Sequence, residues 1–550
     1  MLTVEVPPCI VGVPTRSRHH GSISSPPPKP GATHQARQGF VRGRHPARAL
    51  RTISSNPDRL VSFQVMPGHP AARDLQECQR VSTASPQPSS PPGAAPDLRA
   101  GRLPAEAYAS HFADAAPRYS RTQALVEAER CLYCYDAPCT TACPTGIDVP
   151  AFIKRIADDN LRGAARAILD ANPLGGTCAR VCPTEVLCEQ VCVRHHQGGH
   201  QQGKPVEIGR LQRYAVDAVM DKPLSALFPR ATTTGQRIAV VGAGPAGLAC
   251  AVVLARVGHT VAVHDARPKG GGLNEYGLAT YKVADDFAQA ELDWLLSIGG
   301  ITLRTGWRLA SAAQLAQLRD AFEAVYLAIG LGQVGALGVP GEHLAGVRDA
   351  VDFIAELRQA PDKAALPVGH RVVVIGGGMT AVDAAVQSKL LGAEDVHIVY
   401  RRGPAEMGAS PAEQHWAQTH GVTIHHGLAP SAVLAGSGEH AGHAVAVRFA
   451  RQAAGADGRW QATGEQQTLA ADMVLKAIGQ KLDVGLLAGT GLTLQGGRIA
   501  ADDDGRTGVP GLYAGGDCRL GGRDLTVEAV EDGKRAAHAI HAQLSARARA

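Results

Sequence analysis

The chain has 550 residues, 45% of them hydrophobic and 4% aromatic, with a formal net charge of +5. That length gives room for roughly three domains. Few aromatics leave little to stack on bases, and a near-neutral folded part offers no charged face to nucleic acid or a membrane surface. No apolar run approaches the roughly 18 residues of a membrane span, and no secretory h-region follows Met1. Twelve cysteines in so long a chain read as thiols of a reducing, cytoplasmic setting rather than a disulfide scaffold.

Residues 1–104 are rich in Pro, Ser, Arg and His, as in Ser24-Ser25-Pro26-Pro27-Pro28. They show no hydrophobic periodicity, so they cannot bury enough apolar surface to offset their chain entropy. A disordered tail or an upstream extension from a misassigned start is expected. An organelle transit peptide is the sharper alternative, because the segment is basic and poor in acids. Folded structure is expected from Pro104, opening with a helical domain over 105–230 whose helical patterns fall at 150–158, 162–170 and 208–220.

Eight cysteines are concentrated in that domain, as Cys131-x2-Cys134-x4-Cys139-x3-Cys143-Pro144, Cys178-x3-Cys182-Pro183 and Cys188-x3-Cys192. Short gaps let thiolates converge on one cluster, and Cys-Pro pairs fit the ferredoxin-like habit in which one ligand of a run serves the other cluster. Two [4Fe-4S] clusters are therefore expected, with two four-cysteine zinc sites as the alternative. Cys250 reads as helix packing. No Cys-x-x-Cys stands in a nucleotide domain, so no thioredoxin-reductase-type disulfide is expected.

Two dinucleotide units follow. In the first, the strand 237–241 leads into Gly242-Ala243-Gly244-Pro245-Ala246-Gly247, a helix and a second strand ending at Asp265. The first glycine permits the tight turn and the second admits a pyrophosphate to the helix N-terminus. The third lets helix and strand pack, and the acid meets ribose hydroxyls. The second unit runs from the strand 371–375 into Gly376-Gly377-Gly378-Met379-Thr380-Ala381, and its next strand ends at Arg401-Arg402 instead of an acid. Two arginines there suit a 2′-phosphate, with a solvated basic surface as the plain alternative. Gly515-Gly516-Asp517 near the C-terminus reads as a flavin contact returning to the first unit. FAD is thus assigned to a discontinuous domain over 231–369 and 479–550, and NAD(P)H to a domain over 370–478 inserted in it. The fold class is α/β: a helical iron–sulfur domain, then two Rossmann-like domains.

Together the cysteine runs, the two turns and the Gly-Gly-Asp motif resemble one family, over about residues 105–545. It comprises the glutamate synthase small subunits and the electron-input portion of dihydropyrimidine dehydrogenases. Asp136-Ala137-Pro138-Cys139, Asn172-Pro173-Leu174-Gly175, Cys182-Pro183-Thr184 and Gly271-Gly272-Leu273-Asn274-Glu275-Tyr276-Gly277 favour the dehydrogenase branch. The resemblance implies that ligands cross between the runs. One cluster would take Cys131, Cys134, Cys139 and Cys192. The other would take Cys143, Cys182, Cys188 and the side chain of Gln212, leaving Cys178 spare.

For FAD the resemblance implies Gly242 to Gly247, Asp265 to Leu273 including Gly272, Val181, Lys282, Gly516, Asp517 and Thr526. Lys282 replaces an arginine of the pattern. For NAD(P)H it implies Gly378 to Ala381, Arg401, Arg402 and Ala477-Ile478-Gly479. A further phosphate-binding arginine of NADPH-dependent members falls near Gly408, so NAD and NADP both stay open. The implied activity is oxidation of NAD(P)H at FAD, with electrons passed through the two clusters to a partner subunit carrying FMN and iron–sulfur centres. In a hetero-oligomer that partner would reversibly reduce uracil and thymine to their 5,6-dihydro forms, since this chain shows no FMN-binding barrel. The hydride step needs no general acid or base, so no catalytic residue is named. A glutamate synthase small subunit, or a related reductase feeding another acceptor, is the alternative function. A zinc-stapled nucleotide-binding scaffold is the alternative of another class.

Overall fold

The structure, a computed structural model, describes residues 95–196 and 203–548. The readings of residues 1–94, including Cys9 and Cys78, lie outside the described residues. The chain is already packed before Pro104, earlier than expected. A short strand β1 (Leu98–Arg99) pairs antiparallel with Val368–Gly369. Arg102 ties this segment down by donating to the Asp97 carboxylate and to the Val368 carbonyl.

The helical domain is built on α1 (Arg121–Ala128), α2 (Val149–Ala157), α3 (Leu161–Ala171), α4 (Gly175–Val181) and α5 (Ile208–Asp217). Each start has a local cause where a side chain caps it. Ser120 and Gln123 form a capping box on α1, Asp148 caps α2 with Pro150 in its first turn, and Asn160 caps α3. Phe152, Ile153 and Ile156 of α2 recur at helical spacing and are buried against Ile168 and Leu169 of α3 and Leu211 of α5.

Next come β2 (Arg237–Val241), α6 (Pro245–Arg256), β3 (Thr260–His264), α7 (Phe287–Leu296), β4 (Ile301–Arg304) and β5 (Ala324–Leu327). They are followed by β6 (Gln333–Val334), β7 (Val347–Asp349), α8 (Ala350–Gln359), β8 (Val368–Gly369), β9 (Arg371–Ile375), α9 (Met379–Leu390), β10 (Asp395–Tyr400), α10 (Pro411–Thr419) and β11 (Thr423–His426). Three antiparallel strands follow, β12 (Leu428–Ala435), β13 (Ala444–Ala454) and β14 (Trp460–Ala470). The chain closes with β15 (Met473–Lys476), β16 (Gln480–Lys481), β17 (Leu512–Ala514) and α11 (Thr526–Arg547).

Two five-stranded parallel sheets organise this region. The first has the order β17-β5-β2-β3-β4 and the second β11-β10-β9-β15-β7. The final strand β17 closes the first sheet beside β5, so the flavin-type domain is discontinuous. In each sheet the strand carrying the glycine turn, β2 or β9, lies inside the sheet with a neighbour on either side. That is the switch point where open α/β sheets bind ligands.

The boundary expected at residue 370 needs correction. Strand β7 pairs with β15, and α8 packs in the core of α9, so the inserted domain already contains 347–359. The two passages between the domains pair with one another, β6 against β16, which places the junctions near 334 and 480. The β12–β14 meander was not foreseen either. It covers Val373, Ile375 and Val399 of the second sheet through Val447, Phe449 and Leu469.

Candidate functional site

A cavity of about 910 Å³ opens where the carboxyl ends of both parallel sheets meet. Its wall contains the two glycine turns and their following strand ends. At Gly242 the backbone has φ +108°, and a Cβ there would stand 2.1 Å from the Ala328 carbonyl oxygen. Gly376 repeats this against the Ala477 carbonyl oxygen, also at 2.1 Å. Only glycine permits either crossing. Ala243, Gly247 and Ala381 do not line the cavity. They pack behind the turns, where a Cβ at Gly247 would meet the Gly242 carbonyl at 1.9 Å.

The cradles fit dinucleotides. Gly244 is the N-cap of α6, and a Cβ built on it would meet only the Gly272 Cα, at 3.8 Å. Gly378 is the N-cap of α9 and has nothing within 4 Å of such a Cβ. Neither helix has a side-chain cap, so the free N–H groups of both first turns face the space a pyrophosphate would enter. Asp265 accepts the Ala243 N–H at 2.7 Å and the Arg267 N–H at 2.8 Å, which fixes the carboxylate at the end of β3.

Val181, Pro245, Ala246, Leu273, Met379, Thr380, Ile478, Gly479, Gly516 and Thr526 also line the cavity. Asp517 lies there too, and its carboxyl is pushed up to about 6 by burial first and by the neighbouring Asp524 second. Thr526 begins α11 and donates from its hydroxyl to the Asn274 side chain at 3.1 Å. Arg401 and Arg402 stand at the end of β10 on the cavity wall and make no ion pair among the described residues. Gly408 sits over the second turn, its Cβ position 3.7 Å from the Gly378 Cα.

Lys282 lines the cavity, but its ammonium is taken up by the inserted domain, 2.7 Å from Asp383 and 3.1 Å from Glu413. Despite burial, which lowers it, these two acids raise the lysine above its ordinary range. Asp383 was missed from sequence, although it lies four residues after Met379 on the same face of α9. His264 was missed as well. It ends β3, faces the cavity beside Trp307 and has both ring nitrogens unpaired among the described residues.

The cysteines form two groups. Cys131, Cys134, Cys139 and Cys192 line one small pocket, walled by Val149, Pro150, Ile153, Val206 and Ile208. Burial raises Cys131, and it raises Cys139 to about 11 with help from Cys192 and Cys131. In the second group burial drives Cys182 and Cys188 up, and Cys143 adds to both. Burial alone raises the core thiol Cys250 as well, so what sets the thiols of the two groups apart is that they lie close enough to raise one another.

Cys178 is buried one turn before Cys182 on α4. Gln212, on α5, donates Nε2 to the Gly175 carbonyl at the start of α4, at 2.7 Å. Cys178 thus stands one turn from Cys182, and Gln212 is tied to the start of the same helix. Cys178, Val181, Cys182 and Pro183 also line the nucleotide cavity, so this group borders it. Cys250 and Cys518 are separate, buried core thiols.

Comparison with known proteins gives two family matches. Residues 108–224 match dihydropyrimidine dehydrogenase domain II, 4Fe-4S cluster, which selects iron–sulfur over zinc for these thiols. Residues 236–533 match pyridine nucleotide-disulphide oxidoreductase. Among curated proteins, the chain is 33% identical over 425 residues to the NAD-dependent dihydropyrimidine dehydrogenase subunit PreT of Salmonella typhimurium, covering 77% of this chain and 95% of that one. Identity to the Escherichia coli PreT is 34% with the same coverage. The glutamate synthase [NADPH] small chain of Escherichia coli is 32% identical over 443 residues, 77% of this chain and 92% of that one.

Proposed function

Because this chain belongs to the pyridine nucleotide-disulphide oxidoreductase family and carries the 4Fe-4S domain of dihydropyrimidine dehydrogenases, we propose that it is the electron-input subunit of such a dehydrogenase. Its partner would be a cytoplasmic subunit with FMN and iron–sulfur centres that reduces uracil and thymine to their 5,6-dihydro forms. The single observation behind this reading is that Cys182 and both glycine turns line one cavity. A nucleotide domain, a flavin domain and a cluster domain there share a wall.

When bound, FAD supplies the exchange between two-electron nicotinamide chemistry and one-electron cluster chemistry. The chain supplies position. The first turns of α6 and α9 receive the two pyrophosphates. Asp265 accepts from ribose hydroxyls at one site, and Arg401 and Arg402 meet the adenosine ribose, or its 2′-phosphate, at the other. Cys131, Cys134, Cys139 and Cys192 hold one cluster. Cys143, Cys182 and Cys188 with Gln212 hold the second.

Lys282, Asp383 and Glu413 fasten the inserted domain to the segment 279–282 of the flavin domain. Ser410 donates to Glu185 at 2.6 Å and fastens it to the cluster domain. No side chain is assigned a proton-transfer role.

The test is uracil-dependent oxidation of NADH and NADPH, in parallel, by the chain with and without a dihydropyrimidine dehydrogenase catalytic subunit. Turnover only in the combined sample is expected. Uracil reduction by the chain alone, or none with the partner, would refute the reading. A second reading, a small subunit serving glutamate synthase, draws on the likeness to that small chain. It predicts glutamine- and 2-oxoglutarate-dependent oxidation with the large synthase subunit instead.

A further inference from the structure

We propose that the loop 131–136 is the docking site for the protein that takes electrons from this chain, and that this acceptor is a redox protein with an apolar hollow and a basic rim. The inference rests on the reading of Cys131, Cys134, Cys139 and Cys192 as ligands of one cluster. The loop presents Leu132 at 43% exposure, Tyr133 at 37% and Tyr135 fully exposed. Leu132 also lines the pocket of those four thiols, so the exposed apolar surface lies directly over the cluster site. Exposed tyrosines grouped on a monomer surface mark contact sites, and tyrosine is enriched among residues that carry binding energy.

The backbone adds an independent sign. Tyr133 has φ 50° and Ala137 has φ 32°, a region that residues other than Gly, Asn and Asp rarely adopt. Glycine at 133 would relieve that conformation and lose the ring. The thiols account for the loop's sharp path, but not for the large side chains held outside it.

Position and charge identify the occupant. The second thiol group borders the nucleotide cavity, so electrons enter the cluster domain there and leave from the first. Electron tunnelling falls steeply with distance, so an acceptor must bring its own redox centre over this loop. The loop is flanked by acids. Glu129 and Asp136 are exposed and make no ion pair among the described residues, while Asp158 pairs with Lys154. Arg194 on the pocket wall keeps its positive charge while donating to the Arg130 carbonyl at 2.7 Å, and the acids Glu129 and Asp136 outnumber it. A basic partner complements this rim.

The experiment uses full-length protein loaded with FAD and both clusters, with cytochrome c as a basic one-electron protein acceptor. Each NAD(P)H reduces two ferricytochrome c and yields NAD(P)⁺ and one proton. Ferricyanide serves as the small acceptor and Leu494→Ala as an exposed-surface control. In the double variant Tyr133→Gly/Tyr135→Ala, KM for cytochrome c should rise about tenfold. The dissociation constant for redox-inert zinc-substituted cytochrome c should rise equally, with ferricyanide turnover and the cluster spectrum unchanged. Wild-type constants in that variant would overturn the docking site and leave the electron-carrier reading intact. Absence of ferricyanide turnover in the wild type would remove that reading and the docking site with it.

Discussion

Glu291, on α7 of the flavin-type domain, accepts the backbone N–H of Thr177 at 3.0 Å and that of Gly176 at 2.9 Å. One buried carboxylate from the flavin side therefore caps α4, the helix that carries Cys178 and ends at Cys182. Arg180 on the same helix lies over the Phe287 ring, 3.3 Å from its centroid, and adds a second tie to α7. The cluster domain is thereby held against the cavity by side chains rather than by the linker alone.

Replacing Glu291 by Ala strands two helix N–H groups and the Thr177 hydroxyl in a buried setting. The cost should be about 3 kcal/mol, at the upper end for an unsatisfied group. Chemical denaturation would show it as a lower midpoint. A midpoint equal to wild type would mean that this contact does not hold α4.

Asp517 gives the flavin site a pH dependence. Burial and Asp524 raise its carboxyl from 3.8 to about 6. A group raised on folding contributes stability that is full below its unfolded value and is lost as pH rises through the folded one. The protein without bound flavin should therefore lose this contribution between about pH 4 and 6. If the carboxylate accepts from flavin hydroxyls, as the proposed function implies, FAD affinity should rise across the same window and weaken below it. Fluorescence titration of FAD at several pH values checks this. In Asp517→Asn the slope across that window should vanish, and an unchanged slope would assign it to another group.

The proposed ligand set gives the last position of the second cluster to Gln212 and leaves Cys178 spare. Cys178→Ser should keep the full iron and acid-labile sulfide content, while Gln212→Leu should lose part of it. Iron analysis of both variants decides between them. Loss of iron in Cys178→Ser would restore the simple count of four cysteines per run.

Much of this arrangement is legible in the sequence because parallel strands buried on both faces read as unbroken apolar runs, as in Ile238 to Val241 and Val372 to Ile375. The glycine turns are legible for a steric reason, since nothing else fits against the Ala328 and Ala477 carbonyls. The short strand β7 escapes because three residues carry no period, and its sheet membership depends on β15, more than a hundred residues later. The β12–β14 meander escapes because its strands are rich in Ala and Gln and only some positions are buried.

Long-range partners are the least legible. Nothing local says that Lys282 reaches Asp383 and Glu413, or that Glu291 reaches α4. The cysteine spacing shows which thiols can converge, but α4 places Cys178 and Cys182 one turn apart, where both remain candidates.

The central claim is that nicotinamide electrons reach the clusters through the flavin. The direct measurement is anaerobic addition of NADH or NADPH to the loaded protein, followed in parallel by flavin absorbance and by low-temperature electron paramagnetic resonance. The wild type should bleach its flavin and develop reduced four-iron signals, and Cys192→Ser should still bleach its flavin while losing the iron of one cluster. Flavin bleaching with both wild-type clusters left oxidised would contradict the account.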